Sequence, residues 1–266
     1  LTELGERKGG EQTDENQPVV IKRRRDSTGT ADGDRAVTMA EILKVLEDCG
    51  CHTDEMLAMF STIVDFNNLD AVFISHMHPD HFIDLIAMRY AMRYSEFKDR
   101  LNVYVPKSAI RYLHQLSSSL SDTKPFFEQS FNLQEYDQRQ YSFGDISIQP
   151  FRVEHSVLSH GMKVSHDNKT LVYSSDTKIC DSLRHNLHNV DVFLSENALG
   201  GGAPIHKPIN HLFSSEAGEL AESSNVKKLV LTHFWATSDR ELCRQEASSE
   251  FSGEIIIGEQ GLTISI

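Results

Sequence analysis

The chain has 266 residues, 39 % of them hydrophobic and 24 % charged, a length that fits one large domain or two small ones and buries roughly 70–75 % of the unfolded surface. Twenty-six Lys and Arg against 39 Asp and Glu give a formal charge of -13, which disfavours a general nucleic-acid binder unless the cations gather on one face. No apolar run approaches the roughly 20 residues of a membrane span, and four cysteines (Cys49, Cys51, Cys180 and Cys243) point to reduced thiols in a cytoplasmic protein rather than to a disulfide framework.

Residues 1–37 are poor in apolar side chains and rich in Gly, Glu, Asp and Arg, which reads as a solvated or partly disordered arm. Its KRRR run, Lys22 to Arg25, is expected to be a solvated charge cluster rather than a nucleic-acid patch. No apolar core follows a basic start, so no signal peptide is expected. Residues 38–266 read as the globular domain, with no internal repeat and one low-complexity stretch, SSSLS at Ser117 to Ser121.

In chain order, AVFIS leads to His76 and is followed by the helical pattern HFIDLIAMRYAMRY. YSFGDISIQPFRV suggests alternating strands, and TLVYSS leads to Asp176 and VFLS to Glu196. SSEAGELAESS reads as a helix capped by Ser214 or Ser215; LVLT then leads to His233, and ELCRQEASSEF reads as a helix from Glu241. EIII and LTISI around GEQG suggest a closing strand pair. The four runs before His76, Asp176, Glu196 and His233 are continuously apolar, the signature of strands buried on both faces. Strand-then-helix order predicts an α/β sandwich, with its site beyond the carboxyl ends of the strands.

Thirteen histidines are many for an acidic chain, and SHMHPDH packs His76, His78, Asp80 and His81 into six residues after a buried strand. In an extended segment His76 and His78 point the same way and can meet one ion, while Asp80 and His81 on the turn into a helix point to a second position. His155, after QPFRV, would complete a three-histidine set. Asp176 could bridge two ions through its two oxygens, and His233 would complete the second set. Imidazoles and carboxylates without thiolate fit zinc, with manganese or iron also compatible.

These residues resemble the metallo-β-lactamase fold superfamily, whose signature is HxHxDH followed by a distal His, an Asp and a final His; every slot is filled over roughly residues 40–266. The resemblance implies a four-layer αββα sandwich holding two divalent ions. The segments VEHSVLSHGMKV, VYSSDT with LSEN, and HLFSSEAGELAESSNVKKLVLTHFW are similar to the phosphodiesterase branch, which contains RNase Z, PhnP-like enzymes and bacterial cyclic-nucleotide phosphodiesterases. By that resemblance His211 protonates the leaving oxygen and is oriented by Glu196; in the mechanism expected for such a centre Asp80 also accepts a hydrogen bond from the nucleophile. True β-lactamases usually carry Cys where this chain has Asp176. Asp48, Cys49 and Gly50 match a string that ends a strand in the family, although Met39, Ile42, Leu43 and Leu46 have helical spacing. Ser175 stands where Gly is common.

The expected activity is therefore hydrolysis of a phosphodiester by a hydroxide activated at a dinuclear centre. RNase Z-type enzymes insert a long tRNA-gripping arm between the third histidine and the bridging Asp. Here His155 and Asp176 are twenty-one residues apart, enough for a strand-turn-strand and no arm. With the negative charge, this favours a small phosphodiester such as a cyclic nucleotide over long nucleic acid. The alternatives are hydrolysis of another ester (a lactone or thioester), tRNA 3′ endonuclease activity, and a metal-binding protein without turnover. A poorly covered sheet edge makes a homodimer an expectation. His52, His114, His160, His166, His185, His188 and His206 have no evident role, though His160 and His206 lie near the motifs. Trp235, two residues beyond His233, could stack on a base or pack in the core.

Overall fold

The computed structural model describes residues 69–94, 99–121, 124–205, 210–259 and 262–266, together with the backbone of 19–22. Two sheets pack face to face. The first has the order β1 (Val19–Lys22), β2 (Leu69–Phe73), β3 (Leu101–Val105), β4 (Phe131–Glu135), with β2 to β4 parallel and β1 antiparallel at the edge. The second runs β11 (Glu254–Ile257), β10 (Lys228–Thr232), β9 (Val192–Glu196), β8 (Lys169–Tyr173), β7 (Leu158–His166), β6 (Ile146–Glu154), β5 (Tyr141–Phe143). It is parallel from β8 to β11 and antiparallel from β5 to β8.

The apolar runs are buried on both faces because side chains alternate across each strand. In β2, Ala71 and Phe73 face the second sheet, while Leu69 and Val72 meet the helices α2 (Asp84–Tyr94) and α3 (Ala109–Leu120). On the second sheet Leu171, Val192, Leu194 and Val230 face the first sheet. Val172, Phe193, Leu229 and Leu231 face outward under α4 (Asp181–Leu187), α5 (Ser214–Ser223) and α6 (Arg240–Ser248). Helix, sheet, sheet, helix is the αββα order. Among the described residues no helix is long and apolar enough to cross a membrane.

Several expectations are corrected. Among the described residues LTISI forms no strand, only a bridge at Ile264; β11 pairs parallel to β10, and Ile264 and Ile266 pack against the inter-sheet core. α5 begins at Ser214, so the residue before it is Phe213, whose N–H donates to Glu216 Oε2 at 3.0 Å. Most of the SSSLS stretch is the last turn of α3, where Ser117 and Ser118 hydroxyls donate to the carbonyls of His114 and Gln115 at 2.9 and 2.7 Å. Local side-chain bonding of this kind lets serine occupy a helix end. Within the arm read as solvated, the run VVIK pairs as strand β1. The Arg residues of the KRRR run, the 39–48 segment, Cys49, Cys51, His52 and His206 lie outside the described residues.

Candidate metal centre

The strand ends converge on one edge. β6, β8, β9 and β10 run in the same direction, since two antiparallel steps restore it between β6 and β8. His155 directly follows β6, Asp176 follows β8, Glu196 ends β9 and His233 directly follows β10. His76 and His78 come from the loop after β2, and Asp80 and His81 lie on the short helix α1 (Pro79–Phe82) that Pro79 opens. Two turns deliver their residues through left-handed backbone: Ser175 at φ 55° and His233 at φ 57°. Few non-glycine residues adopt that conformation, and it is found where a functional side chain must be re-aimed.

The structure brings His76, His78, Asp80, His81, His155, Asp176, Glu196, His211 and His233 together at this edge. His78 Nδ1 lies 3.1 Å from both His76 Nε2 and His155 Nε2. Asp176 Oδ2 is 3.7 Å from His76 Nε2 and 3.9 Å from His155 Nε2. Nitrogens around a tetrahedral zinc, with Zn–N near 2.0–2.1 Å, sit about 3.3 Å apart, so this quartet has the dimensions of one ion's ligand set. The same Asp176 oxygen lies 3.3 Å from His81 Nε2 and 3.5 Å from His233 Nε2, with Asp80 Oδ2 3.5 and 3.9 Å from those nitrogens. Asp176 therefore stands between two groups, each able to hold a metal ion.

Buried atoms test whether cations fit. Both ring nitrogens of His81 and of His233, and Asp176 Oδ1, are buried without a hydrogen-bond partner, an arrangement that costs free energy unless a ligand completes it. Electrostatics agree. Burial, with His81 second, pulls His76 down to about 2, and burial also lowers His78 and His155, so these three stay neutral as ligands must. Burial pushes His233 down, but the carboxylates of Asp176, Asp80 and Glu196 together outweigh it and hold His233 up at about 9. Asp176 itself is held well below the usual carboxylate range, because His233 and His81 outweigh its burial. The second group thus favours a positive charge, which a proton or a divalent ion supplies.

A pH dependence follows for protein stripped of metal by chelation. His233, raised from 6.5, contributes stability that is fully present below about pH 6.5 and lost as pH rises through about 9. His76, lowered from 6.5, contributes stability that is lost as pH falls below about 6.5, since unfolding then takes up a proton. Chemical denaturation across pH is expected to show a maximum near neutrality that flattens when zinc is restored. An alkaline limb of equal steepness with and without zinc would contradict this.

Supporting contacts fix the ligands' orientation. His155 Nδ1–H donates to the Asn210 carbonyl at 3.0 Å, leaving Nε2 to face the centre. His76 Nδ1 lies 3.2 Å from Ser75 Oγ and 3.4 Å from Ser175 Oγ. Glu196 accepts from the Thr177 and Ala198 N–H groups at 2.9 and 3.0 Å and from His211 Nδ1 at 3.0 Å. His211, held up by that carboxylate against the pull of its burial, lies beside the second group with its ring stacked on His233 at 5.6 Å. It can also be counted with Asp176 and His233 as a ligand set. His160 is a core residue: buried, 3.3 Å from Tyr136 Oη and held neutral, its pKa lowered to about 4 mainly by burial. Trp235 is 46 % exposed, so it is not packed in the core. Asn210 and Ser75 escaped the sequence reading because a backbone carbonyl and a lone serine carry no spacing signal, and Ser175 was marked only as standing where Gly is common.

A family model described as Anti-Pycsar protein Apyc1 matches residues 36–251. The protein Rv1339 of Mycobacterium tuberculosis is 33 % identical over 188 residues, 69 % of this chain and 68 % of its own length. The probable metallo-hydrolase YhfI of Bacillus subtilis is 26 % identical over 82 % of this chain and 86 % of its own. The crystal structure of YhfI, a metallo-β-lactamase fold protein, superposes with a TM-score of 0.69 at 22 % identity, covering 92 % of this chain and 97 % of that one. The short form of human tRNase Z superposes at 0.56 with 20 % identity over 79 % and 84 % of the two chains. The architecture described above is the metallo-β-lactamase fold.

Proposed function

The chain belongs to the Anti-Pycsar protein Apyc1 family and has the fold of metallo-hydrolases, and from this premise we propose that it hydrolyses a small phosphodiester, a cyclic nucleotide, at a dinuclear metal centre. The observation that carries the reading is one buried carboxylate, Asp176, set between two histidine groups with the His211–Glu196 pair beside them. His76, His78 and His155 with Asp176 would hold one ion, and Asp80, His81 and His233 with Asp176 the other. Zinc suits the donor set best, and manganese or iron is compatible. When bound, the ions supply an acidified water and a counter-charge for the phosphoryl oxygens.

The chain's own residues do the rest. Asp80, partly exposed at 39 % of its side chain, accepts a hydrogen bond from the attacking water and orients it. The water gives up one proton to the solvent through Asp80, and its oxygen forms a bond to phosphorus as the P–O ester bond opposite breaks. His211, with Nδ1–H given to Glu196, delivers a proton from Nε2 to the departing ester oxygen. Glu196, fixed by two backbone N–H groups, sets the tautomer of His211 and stabilises its charged form.

Substrate size is supported by three observations. The stretch between His155 and Asp176 is filled by the hairpin β7–β8, turning at Asp167, so no tRNA-gripping arm stands there. The net charge of -13 disfavours long nucleic acid. The family is a cyclic-nucleotide-degrading one. Free, buried Cys180 and Cys243 fit a cytoplasmic enzyme, which is where cyclic nucleotides act as signals.

Metal analysis with a substrate panel tests the proposal. Two equivalents of metal and turnover of 3′,5′-cyclic nucleotides and bis-p-nitrophenyl phosphate are expected. Turnover of lactones or thioesters alone, or of tRNA precursors alone, contradicts it. Trp235, exposed two residues beyond His233, offers a face on which the base stacks, worth about 1–3 kcal/mol. Trp235→Ala is expected to raise KM for cyclic nucleotides roughly 5- to 100-fold while leaving kcat at saturating cyclic nucleotide nearly unchanged. An unchanged KM would remove Trp235 from the base-binding role.

A further inference from the structure

His160 carries no signal in the sequence that assigns it a task, yet it meets Tyr136 directly behind the first metal ligand. Tyr136 follows β4 of the first sheet and His160 lies in β7 of the second. Both are buried, at 4 % and 6 % exposure, and their rings meet edge to face at 5.1 Å. Tyr136 Oη lies 2.9 Å from the Ile74 carbonyl, 3.1 Å from the Ser75 carbonyl and 3.3 Å from His160 Nδ1. The backbone N–H of His160 donates to the same Ser75 carbonyl at 3.2 Å. Because β2 ends at Phe73, the Ile74 and Ser75 carbonyls lie beyond its ladder, and buried carbonyls need donors from elsewhere.

Counting protons gives the direction of these bonds. A phenol has one proton, and carbonyls only accept. The Tyr136 proton therefore goes to the two carbonyls, and His160 Nδ1 carries the proton that it donates to Tyr136 Oη. Ser75 in turn stands against the first ligand: its hydroxyl is 3.2 Å from His76 Nδ1, with Ser175 Oγ 3.4 Å from the same nitrogen. The Ser75 carbonyl also belongs to the planar peptide that enters His76. A carbonyl held by two donors, the Tyr136 hydroxyl from one sheet and the His160 N–H from the other, thus fixes the plane from which the His76 side chain starts.

We propose that Tyr136 and His160 are positioning residues of the metal position formed by His76, His78, His155 and Asp176: they lock the Ser75–His76 peptide, and with it the angle at which His76 Nε2 faces the ion. His155 takes its aim from the Asn210 carbonyl, which can only accept. His76 has serine hydroxyls at Nδ1 instead, and a hydroxyl that rotates to donate or accept orients a ring less firmly. The backbone before His76 supplies the aim that its ring partners do not. The inference rests on the two-ion reading and is independent of the substrate.

Three variants test it by zinc titration against a competing chelator, alongside melting of the chelated proteins. Tyr136→Phe removes the hydroxyl and keeps the ring in the inter-sheet core. His160→Leu removes the ring donor, and His160→Asn keeps an N–H donor close to the place of Nδ1. The parent is expected to bind two equivalents, and imidazole ¹⁵N resonances of His76 and His155 against those of His81 and His233 report which position fills. In Tyr136→Phe and His160→Leu the His76 position should bind zinc roughly 10-fold or more weakly, the low end of what losing a ligand's supporting partner costs, with the His81 and His233 position as in the parent. His160→Asn should recover most of that affinity. Parental affinity at both positions in Tyr136→Phe and His160→Leu overturns the assignment, as does His160→Asn binding no better than His160→Leu. Equal weakening of both positions with a lower Tm of the chelated protein overturns it too, because that marks residues that hold the fold and aim no ligand. A parent that binds a single equivalent overturns the two-ion reading itself.

Discussion

Asp176→Asn is expected to lower phosphodiester turnover by about a thousandfold or more and to cut bound metal from two equivalents to one or fewer. The side chain faces both histidine groups, with one oxygen 3.3–3.9 Å from His81, His233, His76 and His155. The amide has the same shape but no charge, and it presents a donor where a second lone-pair oxygen stood. Loss of the charge removes the largest influence holding His233 up, so the position that would take the second ion loses its attraction for any cation. Metal-assisted charge stabilisation is worth several kcal/mol, and each 1.36 kcal/mol is a factor of ten in rate. Metal content by elemental analysis and kcat on bis-p-nitrophenyl phosphate check the expectation together. A variant that keeps two ions and full turnover would show that Asp176 is not the shared ligand.

His211→Ala is expected to separate turnover from metal binding. Its Nδ1 is committed to Glu196 at 3.0 Å and lies 4.0 Å from Asp176 Oδ2, so a proton on Nε2 is available for the leaving oxygen. A general acid contributes typically a hundredfold to ten-thousandfold, and a loss in that range with two ions retained is the predicted result. Loss of one ion would make His211 a ligand, the other role its place beside Asp176 and His233 permits. The acid must be protonated, so kcat falls as pH rises through the pKa of His211. Glu196 raises that pKa against burial; Glu196→Gln should therefore move the alkaline limb to lower pH. A substrate with a better leaving group, which needs no proton, should lose less in both variants.

Much of this site was legible in the sequence because its chemistry is written in rare residue types at strand ends. Histidines and acids directly after buried apolar runs can only meet at the edge where parallel strands finish, and His76, Asp176, Glu196 and His233 do. What escaped was carried by common residues. α3 hid behind a serine-rich end whose hydroxyls bond their own backbone, and LTISI has strand composition but forms only a single bridge, at Ile264. VVIK is a pairing segment only because β2 offers an open edge. Ser175 was noticed as standing where Gly is common, and its φ of 55° supplies the physical reason. Sequence spacing carries ligand identity well, but it does not carry burial.

The central claim is that the centre built around Asp176 breaks a phosphodiester bond by adding water to phosphorus. The most direct measurement is ³¹P NMR of zinc-loaded protein with a 3′,5′-cyclic nucleotide in ¹⁸O-labelled water. Conversion of the cyclic diester signal to that of a nucleoside monophosphate carrying one ¹⁸O on phosphorus, abolished by Asp176→Asn, is the predicted result. A protein carrying two ions that leaves the cyclic nucleotide signal unchanged while opening a lactone or cleaving a thioester would contradict it.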